Sequence, residues 1–184
     1  MSACPTVETE RLILRPFRES DLDAYTETLT HPEVRASLHL PDDVGRIQAW
    51  SQMASWLGQW ELRGTGQWAV EERASGDFVG RAGSHRPELP DWPGIEIGWV
   101  LHPRFWGAGY ATEAGAAAVD HAFAHHDVDA LYSVILPENT RSAAVARRLG
   151  FTRFETRVLS HFPSAPHDIW RLPRPDQLAS DTQR

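Results

Sequence analysis

From Ile95 to Leu101 the chain alternates: Ile95, Ile97, Trp99 and Leu101 fall on one face, Glu96, Gly98 and Val100 on the other. A period of two with β-branched and aromatic residues predicts a strand, which Pro103 ends because it has no backbone donor. Beyond Gly107 and Gly109 the period lengthens. Ala111, Ala114, Gly115, Ala118, Val119, Ala122 and Phe123 recur at three- and four-residue spacing, predicting a helix from about Ala111 to His125 whose small residues suit close packing on a sheet. Upstream, Glu10 to Phe17 reads as a strand. Ser20 with Asp23 opens a helix to about Leu29, which His31-Pro32 breaks. Asp42 or Asp43 caps a longer helix through Arg63, with Ile47, Trp50, Ala54, Leu57 and Trp60 as its apolar stripe. Gln67 to Glu72 and Phe78 to Ser84 form a predicted hairpin around Ser75-Gly76-Asp77, and Arg86 to Gly94, with three prolines, a loop. Leu131 to Leu136 is a continuous apolar run, as in a strand covered on both faces. Asn139 caps a helix through Leu149 that stops at Gly150, and Phe151 to Leu159 with Asp168 to Leu172 form a closing antiparallel pair. The strands at Glu96–Leu101 and Leu131–Leu136 are expected to be parallel, since a helix joins them.

Composition narrows the setting. At 184 residues and 41% hydrophobic content, one domain over residues 1–173 is expected, with a polar, disordered tail over 174–184. A net charge of −7 without a basic run argues against a nucleic-acid surface. Cys4 is the only cysteine and reads as an exposed, inert terminal residue, so no disulfide framework exists and a reducing, cytoplasmic setting is expected. No signal peptide is expected from the opening residues, and no apolar run of about 20 residues is seen, so no membrane association is expected. The nine histidines show no spacing that points to a metal site. Eight tryptophans are many for this length; core, cleft lining and a homodimer interface all remain open for them.

The junction at Gly107 to Ala111 is the main candidate for chemistry. A helix N-terminus offers unpaired N–H groups and partial positive charge, and glycines let a phosphate approach the backbone. A plain turn is the alternative. Two better-known glycine loops do not fit. A nucleotide-triphosphate loop needs Lys-Ser/Thr where Tyr110-Ala111 stand, and a dinucleotide fingerprint needs a third glycine where Thr112 stands.

Arg104-Phe105-Trp106-Gly107-Ala108-Gly109 resembles the R/Q-x-x-G-x-G/A signature of the GNAT superfamily of acetyl-CoA-dependent N-acetyltransferases. WGAGYATEA, the opening Thr9-Glu10-Arg11-Leu12, Asn139-x-x-Ser142 and Arg148-Leu149-Gly150-Phe151 are similar to its ribosomal-protein N-terminal acetyltransferase branch, the RimJ/RimL type. The resemblance spans about Thr9 to Leu172. It implies an α/β (α+β) fold: a mixed, mostly antiparallel sheet of about seven strands, helices on both faces, and a splayed parallel pair that takes acetyl-CoA.

In that resemblance, main-chain groups of Trp99 and Leu101 pair with the pantetheine arm, and amides of Gly107, Gly109, Tyr110 and Ala111 hold the pyrophosphate. Arg104 shapes the turn or touches phosphate, and Arg148 meets the 3′-phosphate. Asn139 either bonds the pantetheine or is a plain N-cap. Ser142, near the sulfur, donates to the departing thiolate or is an ordinary surface serine. Glu96 is the candidate base for the acceptor amine, acting through a water, with a structural glutamate as the alternative. The expected activity is acetyl transfer from acetyl-CoA to a primary amine, either a protein N-terminal α-amine or a small molecule, without a metal. A catalytically silent acyl-CoA sensor and a transferase of longer acyl groups are the alternatives.

Overall fold

In the computed structural model, which describes residues 4–175, the strands are β1 (Val7–Glu8), β2 (Leu12–Arg15), β3 (Gln67–Glu72), β4 (Phe78–His85), β5 (Glu96–Leu101), β6 (Ala130–Ile135), β7 (Thr152–Leu159) and β8 (Phe162–Pro173). The helices are α1 (Leu22–Thr30), α2 (Pro32–Leu38), α3 (Arg46–Arg63), α4 (Tyr110–His125) and α5 (Thr140–Arg148). The strands join in one sheet in the order β1-β2-β3-β4-β5-β6-β8-β7. Each neighbouring pair is antiparallel except β5–β6. The expected mixed sheet with one parallel pair is present, with eight strands rather than about seven. The addition is β1, which pairs with β2 across a short turn.

Two cores form. Ala114, Ala118 and Ala122 of α4 pack with Ile95, Ile97 and Leu101 and with Ala143 and Ala146 of α5. Small side chains bring α4 close: a Cβ added at Gly115 would lie 2.7 Å from Leu149 Cδ1. On the opposite side of the sheet, Leu22, Tyr25 and Leu29 of α1 pack with Ala49, Met53 and Trp56 of α3. Beneath them a buried ion pair ties β2 to the start of α1. Arg15 makes two hydrogen bonds to Asp21 (2.7 and 2.8 Å) and one to Glu71 (2.7 Å).

Several expectations need correcting. His31-Pro32 does end α1, but it also starts α2, because proline suits the first helical position and His31 Nδ1 accepts the Glu33 amide. The buried stripe of α3 is Ala49, Met53, Trp56 and Trp60; Ile47, Trp50 and Leu57 are exposed. Trp60 fixes this rotation: its indole donates to Gln67 O (3.2 Å) and packs 4.6 Å from Trp68. Measured from Trp60, the Leu57–Trp50–Ile47 series drifts off that face. The cap of α3 is Gly45, whose amide is held by Gln48 Oε1, rather than Asp42 or Asp43. β8 starts at Phe162 rather than Asp168, its first half forming an exposed hairpin with β7 despite Pro163 and Pro166.

At the N-terminal end, Cys4 is half-buried against the α4 core, and burial pushes its thiol up to about 12, so it stays protonated. Arg174, assigned above to the tail, bonds Phe123 O, His126 O and Val128 O. The remainder of that tail, 176–184, lies outside the described residues. Among the described residues no helix is long and apolar enough to cross a membrane.

Candidate active site

The parallel pair opens almost as soon as it forms. Glu96 is registered with Tyr132, and Tyr132 N–H donates to Ile95 O (2.9 Å). Two residues along, where the next rung would form, Val134 N–H instead lies 3.4 Å from Glu96 Oε1. Glu96 therefore sits at the apex of the splay. Main-chain groups two residues apart on a strand point to the same edge, so Ile97, Trp99 and Leu101 turn theirs towards the gap, as Ile95 does. His102 N–H, of opposite parity, faces β4 and donates to Val79 O. Of the gap-facing groups, Leu101 O already accepts the Trp106 indole N–H (2.9 Å), leaving Trp99 the less committed residue.

A cavity of about 500 Å³ fills the gap and the sheet face under α2 and α3. Its floor is set by cross-strand register: His85 faces Glu96, Gly83 faces Gly98, and Arg81 faces Val100. His85 Nδ1 lies 3.2 Å from Glu96 Oε2. The pair is mostly enclosed, at 22% and 14% side-chain exposure. Trp56 and Trp92 present their rings to His85 at 4.9 and 5.8 Å. Deeper along the floor, Arg81 Nε donates to Tyr25 Oη (2.9 Å) and Nη1 to Gln67 Oε1 (3.0 Å), while Tyr25 donates to Gln52 (2.5 Å). Phe162 and His167 of the β7–β8 hairpin line the remaining wall. Burial lowers the His167 pKa and so favours the neutral ring, outweighing the contact with Ala165 O, which raises it.

At the wide end of the splay, Gly107 (φ 79°) and Gly109 (φ 85°) both take left-handed backbone, which a side chain would strain. They are exposed, and a Cβ added at Gly107 would meet nothing within 4 Å. Thr112 and Glu113 N–H both donate to Gly109 O, so the amides of Tyr110 and Ala111 precede the first helical bond. An open glycine turn with leading amides is a fit for a pyrophosphate.

The turn is pinned from three sides. Arg11 Nη1 donates to Ala108 O (2.8 Å), and its guanidinium pairs with Glu113 (2.7 Å). Tyr110 Oη donates to Glu72. Arg104 reaches Asp77 (2.9 Å). Burial pushes the Glu113 carboxyl up, but hydrogen bonds from Thr9 Oγ1, the Arg11 amide and its guanidinium outweigh this and hold it below its ordinary value. Hydrogen bonds from Ser75 and then Tyr110 lower Glu72, and the same contact raises the Tyr110 phenol.

The expected site residues thus fall in two groups. Glu96, Trp99, Asn139 and Ser142 line the cavity. Gly107, Gly109, Tyr110 and Ala111 form the turn, with Leu101 on the strand leading to it and Arg104 shaping it from outside. Asn139 caps α5: its Oδ1 accepts Ser142 N–H (3.1 Å), and its Nδ2 donates to Ser37 O of α2 (3.0 Å). Arg148 is exposed at the far end of α5 from Ser142. Sequence reasoning missed the roles of Arg11, Glu113, Tyr25, Gln67, Arg81 and His85. The available signal was Arg81, a charge inside the otherwise small and apolar run Phe78 to Ser84.

The acetyltransferase (GNAT) domain profile matches residues 11–152, most of the chain. The chain belongs to the GNAT acetyltransferase family. A relative, the uncharacterized N-acetyltransferase YoaA of Bacillus subtilis, is 25% identical over 149 residues, covering 81% of this chain and 84% of YoaA. The crystal structure of an acetyltransferase from Agrobacterium tumefaciens shares 32% identity at a TM-score of 0.80, covering 94% of this chain and 96% of that one. The ribosomal L7/L12 alpha-N-protein acetyltransferase RimL, solved with coenzyme A, shares the fold at a TM-score of 0.74 and 18% identity, covering 92% and 98%. The protein is therefore a GNAT acyltransferase, a family whose fold uses acetyl-CoA.

Proposed function

We propose that this GNAT enzyme acetylates a primary amine bound in the 500 Å³ cavity, by direct attack in a ternary complex, and that it is of the RimJ/RimL type. The observation that carries the reading is the position of Glu96 at the splay apex, in one cavity with Ser142 and beside the edge of Trp99. Acetyl-CoA, when bound, supplies an activated thioester carbonyl. Amides of Gly107, Gly109, Tyr110 and Ala111 would hold its pyrophosphate, and main-chain groups of Trp99 its pantetheine arm. Arg148, exposed at the end of α5, would meet its 3′-phosphate.

The residues of the chain then move protons. A protonated amine does not attack a carbonyl, so its proton passes to Glu96, directly or through a water. His85, 3.2 Å from the same carboxylate, holds Glu96 in place and offers a route for the proton onward. As the C–N bond forms and the C–S bond breaks, the Ser142 hydroxyl is placed to hydrogen-bond the departing sulfur. Trp56 and Trp92 wall off bulk water. Only these groups need act, and no covalent enzyme intermediate is required.

The test is thiol release from acetyl-CoA across a panel of small amines and peptides with free N-termini. Release that depends on one amine class, and collapses in Glu96→Gln while acetyl-CoA still binds, is the expected result. Release without any amine, or full activity in Glu96→Gln, would refute the assignment.

A further inference from the structure

The cavity contains a cation that the mechanism above does not use. Arg81 is half-buried, yet no carboxylate among the described residues comes within ion-pair distance of it. By contrast Arg11, Arg63 and Arg104 each have one and Arg15 has two. Its contacts are neutral: Tyr25 Oη, Gln67 Oε1 and the Trp56 ring, 5.1 Å from Cζ. A guanidinium has five N–H donors and is permanently charged. Nε and Nη1 each donate once, which leaves the second N–H of Nη1 unused, and Nη2 makes no hydrogen bond among the described residues while the side chain lines the cavity. Tyr25 is itself fixed by Gln52, and Gln67 by Gly83 O (3.0 Å), so the fork is held rigidly.

Arg81 and the splay apex share one floor. Gln67 Nε2 lies 3.6 Å, and Glu96 Oε1 3.9 Å, from where a Cβ on Gly98 would be. Gly98 thus leaves the sheet surface bare between the two ends. The other ionisable side chains lining the cavity do not neutralise Arg81. Glu96 faces His85 and Val134, Glu88 pairs with Arg63, His161 lies against Phe162, and His167 stacks on Phe162 with its Nδ1 at Ala165 O.

We infer that Arg81 binds a carboxylate on the acceptor, so that the enzyme acetylates an amine carrying a carboxylate some bonds away. An amino carboxylate and a peptide with an acidic residue next to its N-terminus share this chemistry. The inference rests on the acetyltransferase reading above. Planar, bidentate recognition of carboxylate is what arginine supplies and lysine does not.

The test compares matched acceptors: ω-amino carboxylates of graded length against their methyl amides, and short peptides with Asp against Asn in second place. The wild type should favour the carboxylate member by roughly 10- to 100-fold in kcat/KM, mainly through KM. The series showing the preference identifies the source of the carboxylate. Arg81→Gln should bring carboxylate and amide level, and Arg81→Lys should retain part of the preference. If Arg81→Gln does not fold, Arg81→Lys carries the test. Equal rates for acid and amide in the wild type, or an unchanged ratio in both variants, would overturn the inference. Continued transfer to uncharged amines would then leave the acetyltransferase reading standing. Absence of transfer to every amine would sink both.

Discussion

The two ends of the splay are built differently. The glycine turn at its wide end is one contiguous stretch, Arg104 to Ala111, pinned by Arg11, Glu72, Asp77 and Glu113. The cavity at its narrow end is assembled from α2, α3, α5, the four strands β3 to β6 and the β7–β8 hairpin. A phosphate needs backbone amides in a fixed curve, which a short sequence can specify. An acceptor needs side chains of matched chemistry, which any surrounding element can supply. On the proposed function, one end of the splay is a grip for the cofactor and the other a pocket for a particular acceptor.

Substitutions at the two ends should separate. The largest effect is expected from Glu96→Gln. Loss of the proton acceptor should lower kcat by about 10²–10⁴-fold, with acetyl-CoA affinity nearly unchanged by calorimetry. Next is Gly109→Val, which forces a side chain into left-handed backbone 3.4 Å from Arg11 Nη2. That costs about 1–2 kcal/mol in the turn itself, or roughly tenfold or more in acetyl-CoA Kd. An acetyl-CoA titration of the variant measures it.

Glu113→Gln comes third. It removes the charge that accepts from Thr9, the Arg11 amide and the Arg11 guanidinium. A loss of about 1–2 kcal/mol in urea unfolding is expected. The sign with pH follows from the lowered carboxyl: this stabilisation is present above the ordinary carboxyl range and fades as pH falls through the folded value. The variant should lack that fade.

The smallest effect belongs to His121 of α4, whose ring lies 5.5 Å from Trp60 and 5.1 Å from Trp68. Burial, then the neighbouring His125 and His126, lower it from 6.5 to about 4. The unfolded chain takes up this proton first. Stability is thus full above 6.5, falls as pH drops towards about 4, and has lost the whole contribution below that. His121→Phe should flatten that part of the Tm curve.

The same asymmetry decided how much was legible in the sequence. The strand, glycine turn and helix at Ile95 to His125 could be read because period and turn chemistry are local. The parallel pair followed from the helix that joins it. Arg81 and His85 could not be assigned, because their roles arise from the register that sets them against Val100 and Glu96. The face of α3 was ambiguous for a related reason: two apolar stripes fit a helical period, and only the Trp60–Trp68 contact selects one. α2 was hidden because one proline both stops and starts a helix. The first half of β8 was hidden by prolines that an edge hairpin tolerates.

The central claim is that the Gly107–Ala111 turn and the free edge of β5 together receive acetyl-CoA. Residue-resolved amide hydrogen exchange, with and without acetyl-CoA, tests it most directly. The account predicts slowed exchange at Gly107, Gly109, Tyr110, Ala111 and Trp99 beyond any general stabilisation, with the exposed β7–β8 hairpin following only the general effect. Protection confined to another part of the molecule, with no slowing in the turn, would contradict it.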